Sequence, residues 1–125
     1  MEKRKMPLRT KKRVGDFVVS FSDSIRVAME KIERNHHRVV IVLDEGRVVG
    51  TVSDGDIRRA FLNNVLPISP VEKIMNINCR TTTVREPQKL REIIVREKVT
   101  VLPVVNDVNE LVDVFVADEP FTSTK

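Results

Sequence analysis

The chain of 125 residues contains no tryptophan or tyrosine, so its large aromatic residues are five phenylalanines. Because these phenylalanines fall in apolar patterns, little remains to build the stacking platforms that bind single-stranded nucleic acids. A single cysteine, Cys79, excludes an internal disulfide and fits a reducing compartment, so we expect a cytoplasmic protein. The longest apolar run, residues 39–43, is too short to cross a bilayer, which predicts no membrane association.

The net charge of +4 is unevenly distributed along the chain. Residues 1–13 hold seven Lys/Arg and one Glu, so the rest of the chain is slightly acidic. We interpret this segment as a disordered basic tail. Nucleic-acid binding through the tail is the alternative, because clustered cations neutralise phosphates without needing a fold.

A first structural unit is readable between residues 14 and 66. The segment "SIRVAMEKI" has Ile25, Ala28, Met29 and Ile32 at the spacing of one helix face, with Ser22, Asp23 or Ser24 as the candidate cap. "RVVIVLDEGRVVGTV" then predicts two strands joined by a tight turn at residues 44–46. "DGDIRRAFLNN" predicts a second helix with residues 57, 60 and 61 on its apolar face.

The same order of elements returns in the second half of the chain. "PQKLREIIVREK" predicts a helix, "VTVLPVV" a strand, and "LVDVFV" another strand after a turn. The strands repeat at an offset of 62 to 63 residues, but the helices align better at 65, which predicts a second helix shortened by nearly a turn. Between the halves, Ser69 and Glu72 form a capping-box pattern around Pro70, which predicts a short helix through Met75.

Each unit is therefore an extended piece (residues 17–21 and 81–84) followed by helix, strand, strand and helix. One such sheet leaves an apolar face uncovered, and two units packed sheet to sheet would bury both faces. The predicted divisions are a tail at 1–13, a first repeat at 14–66, a connector at 67–80, a shortened second repeat at 81–121, and a tail at 122–125. The fold class is a duplicated α+β domain.

The segments "VVIVLDEGRVVGTVSDGDI", "VEKIM" and "LPVVNDVNELVDVFVADE" together resemble a pair of CBS domains, which is also called a Bateman module. The resemblance implies a tandem CBS-domain repeat of two β-α-β-β-α units with pseudo-two-fold symmetry, associating as a homodimer through its helices. "GTVSDGDIRRA" and "ELVDV" are further similar to the CBS pair attached to sugar-phosphate nucleotidyltransferases. A catalytic partner domain of that kind is therefore expected.

CBS pairs commonly bind adenine nucleotides (AMP, ADP, ATP) or S-adenosyl compounds such as S-adenosylmethionine as regulatory ligands, between their repeats. The family pattern of Gly, Ser/Thr and Asp matches Gly50, Ser53 and Asp56, and Thr51 in the same stretch is a further ligand-binding candidate. The chemistry agrees, because a carboxylate accepts both hydroxyls of a ribose diol and a helix N-terminus attracts phosphate. The competing interpretation is that these residues only cap a helix.

Two further candidates stand at the head of the first strand. Arg38 matches a position where the family often carries a phosphate-contacting arginine. His37 is the weaker candidate, because neighbouring strand residues point to opposite faces. A calcium loop is not expected at "DGD", because Ile57, Arg58 and Arg59 replace the oxygen ligands that would follow.

In the second repeat the residues at the matching positions are Asp113, Val116 and Glu119, which do not follow the pattern of Gly, Ser/Thr and Asp. This departure predicts that only one ligand site per chain is functional. No nucleophile–base pair is visible, so an enzyme is not expected. The main prediction is a regulatory module that senses an adenosine-containing nucleotide. A ligand-free dimerisation or scaffolding module is the second prediction, and nucleic-acid binding by the tail is the third.

Overall fold

A computed structural model describes residues 14–117 of the chain. The predictions for the basic tail, for Glu119 and for the last helix of the second repeat lie outside these residues. The described elements are, in order, a 3-10 helix (Val14–Phe17), β1 (Val18–Ser20), α1 (Ile25–Asn35), β2 (Val39–Asp44), β3 (Arg47–Ser53), α2 (Asp54–Leu62), a second 3-10 helix (Val71–Lys73), α3 (Pro87–Glu97), β4 (Val101–Val105) and β5 (Leu111–Val116).

The first unit is built on a three-stranded sheet in the order β1-β2-β3. Strand β1 pairs parallel with β2, and β2 pairs antiparallel with β3. The predicted tight turn is confirmed, because Glu45 and Gly46 both have left-handed backbones, with φ of 53° and 83°. Positive φ at both central positions is what a type I′ hairpin turn requires.

Helices α1 and α2 cover one face of this sheet. Helix α1 begins as predicted, with the Ser24 hydroxyl accepting a hydrogen bond from the backbone N–H of Val27 at 3.2 Å. Its residues Ile25, Ala28 and Ile32 are buried as expected. The prediction was wrong for Met29, which is 40% exposed, because the helix pair leaves it in an open groove together with Phe61.

The second unit consists of α3 and the antiparallel pair β4-β5. Helix α3 has 11 residues, the same as α1, and starts at an offset of 62 residues. The predicted shortening of this helix was therefore wrong, because the sequence alignment at 65 followed apolar spacing alone. The extended piece expected at residues 81–84 forms one parallel bridge, between Thr82 and Val104.

The connector differs from its prediction in how it begins. Its helix is a single 3-10 turn, Val71–Lys73, with Pro70 as the first flanking residue and no side-chain cap. The Ser69 capping box is therefore wrong. The Ser69 carbonyl instead accepts a hydrogen bond at 2.8 Å from the N–H of Ile25, at the start of α1.

The two units pack sheet to sheet, as predicted. Alternate strand residues of both units meet in one buried cluster, formed by Phe17, Ile41, Val48, Val101, Val105, Val114 and Val116. The opposite faces of the strands pack on the helices of their own unit. Burying a side chain of this size stabilises a fold by roughly 1.5–3 kcal/mol, so this shared layer holds the units together.

Candidate functional site

A cleft of about 380 Å³ lies between the two units, at the heads of β2 and β4. Thr51 pairs across the sheet with Ile41, and Ser53 pairs with Val39. Cross-strand partners share a face of the sheet, and Ile41 and Val39 both pack toward the second unit. Thr51 and Ser53 therefore point into the space between the units, and both line the cleft.

Arg38 and His37 also line this cleft together. Both residues precede β2, so strand alternation does not turn His37 and Arg38 to opposite faces as the sequence suggested. Arg38 has a left-handed backbone with φ of 70°, which costs about 1 kcal/mol or more for a residue with a Cβ. Its carbonyl accepts a hydrogen bond at 3.0 Å from the N–H of Asp54, at the start of α2, which holds this conformation.

Asp56 lies at the first turn of α2 and takes part in a capping box. Its carboxylate accepts hydrogen bonds from the Ser53 N–H at 2.9 Å and the Ser53 hydroxyl at 3.0 Å. In return, the Ser53 hydroxyl accepts from the N–H of Asp56. The other carboxylate oxygen pairs with Arg59 at 2.8 Å. The capping interpretation is thus realised in the structure, and Asp56 is not among the described residues that line the cleft.

Sequence reasoning missed two cations of the cleft, Arg80 and Lys98. Arg80 comes from the connector and Lys98 follows the end of α3, so neither belongs to a motif around Ser53. The repeat offset gives no signal for Lys98, because its repeat mate 62 residues earlier, His36, is not among the described residues that line this cleft. No signal marks Arg80 either.

Cys79 lies in the wall of the cleft as well. Burial raises the pKa of the Cys79 thiol, and a hydrogen bond with its own backbone partly offsets this. The thiol form is therefore favoured at neutral pH, which makes this cysteine a slow nucleophile.

The connector forms one wall of the cleft because it runs closely along the edge of β3. Asn76 and Thr51 exchange two backbone hydrogen bonds, at 2.8 and 3.1 Å. A Cβ at Gly50 would lie 3.0 Å from the Asn76 carbonyl oxygen and from the Met75 side chain. Glycine at this position thus permits the contact that shapes the site.

The corresponding positions of the second unit look different. Val116, at the position matching Ser53, is fully buried in the layer between the sheets. Asp113 directs its carboxylate to the N–H of Val114 at 2.8 Å. Glu119 lies outside the described residues, so a single site per chain stays a prediction.

Within residues 14–117, no cluster of three or more His, Cys, Asp or Glu side chains is placed to hold a metal ion. No helix in the same range has the length and apolarity needed to cross a membrane.

Comparison with known proteins agrees with this architecture of two sheet-packed α+β units. The model of the CBS domain family matches residues 13–63. A CBS domain protein from Pyrobaculum aerophilum, solved in complex with AMP, has a TM-score of 0.63 at 22% identity, covering 79% of this chain and 78% of that one. A putative acetoin utilization protein (AcuB) from Vibrio cholerae has a TM-score of 0.74 at 19% identity, covering 85% and 79%. Residues 13–63 are a CBS domain, and the chain has the fold of a CBS-domain pair.

The chain is also similar to a sugar-phosphate enzyme. It is 30% identical over 97 residues to the arabinose 5-phosphate isomerase GutQ of Escherichia coli O6:H1. The alignment covers 74% of this chain but 30% of the isomerase. This chain thus spans less than a third of the length of that relative.

Proposed function

We propose that this chain is a regulatory module that binds an adenosine-containing nucleotide in the cleft between its two units. The observation that carries the proposal is the convergence of Arg38, His37, Thr51 and Ser53 on one cleft of about 380 Å³. This volume lies within the range of sites for small molecules, which is roughly 300–1,000 Å³. The AMP complex of the Pyrobaculum protein, which has the same fold, supports the choice of ligand.

Each side chain has a suitable chemical role. Arg38 offers the planar guanidinium that pairs well with phosphate. Ser53 and the N-terminus of α2 offer a hydroxyl and the positive end of a helix dipole. Asp56 does not line the cleft, so it would have to release Arg59 and turn toward the cleft to accept a ribose hydroxyl; the Arg59 side chain is 65% exposed, and this ion pair is therefore weakly held.

The ligand would act on the arrangement of the two units. Because the cleft is lined from both units and from the connector, a ligand that fits one arrangement better shifts the population toward it. We propose that an attached or associated catalytic domain reads this shift, and that the module itself is not an enzyme. The likeness to arabinose 5-phosphate isomerase and the pattern "GTVSDGDIRRA" both favour a partner that acts on sugar phosphates.

The test is calorimetric titration of the purified chain with AMP, ADP, ATP, S-adenosylmethionine, CMP and GDP. We expect saturable binding of an adenosine ligand that weakens about tenfold or more in Asp56→Ala, because a charge-assisted hydrogen bond is lost. Asp54→Ala is the matched control, since Asp54 is also in the first turn of α2 but outside the capping box. Absence of heat with every nucleotide would overturn the proposal.

A second candidate function, homodimerisation, is favoured by a separate surface. A groove between α1 and α2 contains Met29 and Phe61, and the nearby Leu62, Leu66 and Ile68 are 63–79% exposed. Both Arg and Glu side chains line this groove on α1, so a second copy related by a two-fold axis would bring opposite charges together. Sedimentation analysis that finds a dimer with no nucleotide response would favour this function over the first.

A further inference from the structure

Three cationic side chains that come from separate parts of the chain line the inter-unit cleft. Arg38 stands at the head of β2, Arg80 in the connector, and Lys98 directly after α3. Among the described residues that line the cleft, none is an aspartate or glutamate. The lining is thus more positive than the recognition of an uncharged nucleoside requires.

Arg80 forms a weak ion pair with Glu97. Its guanidinium lies 3.4 Å from the Glu97 carboxylate, and the two side chains are 48% and 34% exposed. An exposed ion pair of this kind is weak, because solvent screens its charges. Glu97 also lies 3.5 Å from Arg96, so it keeps a cation when Arg80 turns to another anion. A phosphate, which accepts two parallel hydrogen bonds from a guanidinium, competes well for Arg80.

The candidate ligands differ most in charge. A terminal phosphate carries about −1.5 to −2 at pH 7, and each additional phosphate adds further negative charge. S-adenosylmethionine has no phosphate and carries a sulfonium cation. A site with three cations therefore discriminates strongly between these ligands, because like charges in a partly desolvated cleft repel each other.

We propose that the cleft selects its ligand by phosphate charge, taking nucleoside di- and triphosphates in preference to monophosphates and rejecting S-adenosyl compounds. Arg80 and Lys98 are the residues that set this preference, and Glu97 weakens it by competing for Arg80. The inference rests on the proposed nucleotide site. It adds which members of the adenosine class that site accepts.

The first experiment compares dissociation constants for ATP, ADP, AMP and S-adenosylmethionine by calorimetry. ATP is expected to bind about tenfold more tightly than AMP, because its additional phosphates accept charge-assisted hydrogen bonds from the cations of the cleft. S-adenosylmethionine should show no saturable binding. Modification of Cys79 by a thiol reagent is the independent readout, because Cys79 lines the cleft and is the only thiol in the sequence. ATP should slow its reaction.

Single substitutions measure how much Arg80 and Lys98 each contribute to nucleotide affinity. Lys98→Gln and Arg80→Gln should each weaken ATP binding about fivefold, and not more, because half-exposed contacts are partly screened. AMP binding should change less, because AMP carries less phosphate charge. Glu97→Gln should strengthen ATP binding about twofold by freeing Arg80. Arg26→Gln is the matched control, since Arg26 also forms an exposed pair, with Glu30 at 3.3 Å on α1, outside the cleft.

The outcomes distinguish the selection rule from the site itself. Equal affinities for AMP and ATP, or tightest binding of S-adenosylmethionine, would overturn the selection by charge and leave the nucleotide site standing. If inorganic tripolyphosphate binds and protects Cys79 as well as ATP does, the charge preference is supported and the nucleotide assignment is overturned. If no phosphate compound binds or protects Cys79, both proposals fail.

Discussion

Each half of the chain contains a helix of 11 residues followed by two antiparallel strands, but the two halves begin this helix and cover their sheet edges differently. Helix α1 is capped by the Ser24 side chain, while Glu86 at the matching place before α3 makes no capping bond. Gly50 lets the connector approach β3, while Asp113 stands at the matching place in β5. Backbone architecture can thus be repeated while the details that build a cleft are present in one half only.

The largest expected effect is on the free energy of unfolding, and its measurement tests whether the two halves unfold together. Ile41 is fully buried in the layer shared by both sheets, and Leu102 is fully buried against α3 in the second unit. Ile41→Ala and Leu102→Ala should each lower the free energy of unfolding by about 2–5 kcal/mol, because each leaves a cavity. Urea denaturation should show a single transition that shifts in both variants. Two transitions, with Leu102→Ala moving only one, would mean that the halves fold separately.

A smaller effect is expected at the contact that exists in the first half only. Gly50→Ala places a methyl group 3.0 Å from the Asn76 carbonyl oxygen, so the connector must move away from β3. We expect a loss of about 1–3 kcal/mol in unfolding free energy, as for other overpacked sites. The displaced connector should also weaken nucleotide binding. Gly15→Ala is the control, because no atom lies within 4 Å of the added methyl group. Equal stability of both variants would contradict the role given to the Asn76 contact.

The smallest effect concerns the helix caps. Ser24→Ala should lose about 1 kcal/mol because the hydrogen bond to the N–H of Val27 disappears. Glu86→Ser should add up to about 1 kcal/mol, since Glu86 already has the extended backbone that a capping residue needs. Thermal unfolding of both variants measures the comparison. A Glu86→Ser protein no more stable than the original chain would show that the ends of α1 and α3 differ by more than one side chain.

Much of the fold could be predicted from the sequence because it depends on apolar periodicity and turn chemistry. The turn at Glu45 and Gly46 and the cap at Ser24 are local signals that the structure confirms. The capping box at Ser69 failed because the same local pattern lost to tertiary hydrogen bonding with the start of α1. Met29 has helical spacing but lies in an open groove and stays 40% exposed, and spacing alone does not reveal what a helix packs against.

The site was only partly predictable for a related reason. Four of the predicted residues lie in or beside one predicted hairpin, and the structure brings them to one cleft: His37, Arg38, Thr51 and Ser53. Arg80 and Lys98 reach the same cleft from distant segments, so only the packing of the two units reveals them. The capping role and the ligand role of Asp56 use the same carboxylate, and the sequence does not separate them.

The hydrogen bonds of the connector have a consequence for how this chain can be divided. The N–H groups at the start of α1 donate to the carbonyls of Pro67 and Ser69, and Val71 is fully buried in the core of the first unit. A fragment ending at residue 66 would lose these acceptors, open a hole in its core and expose the edge of β3. Any fragment meant to keep the first unit intact must therefore run at least through Asn76, because the segment between the repeats belongs structurally to the first of them.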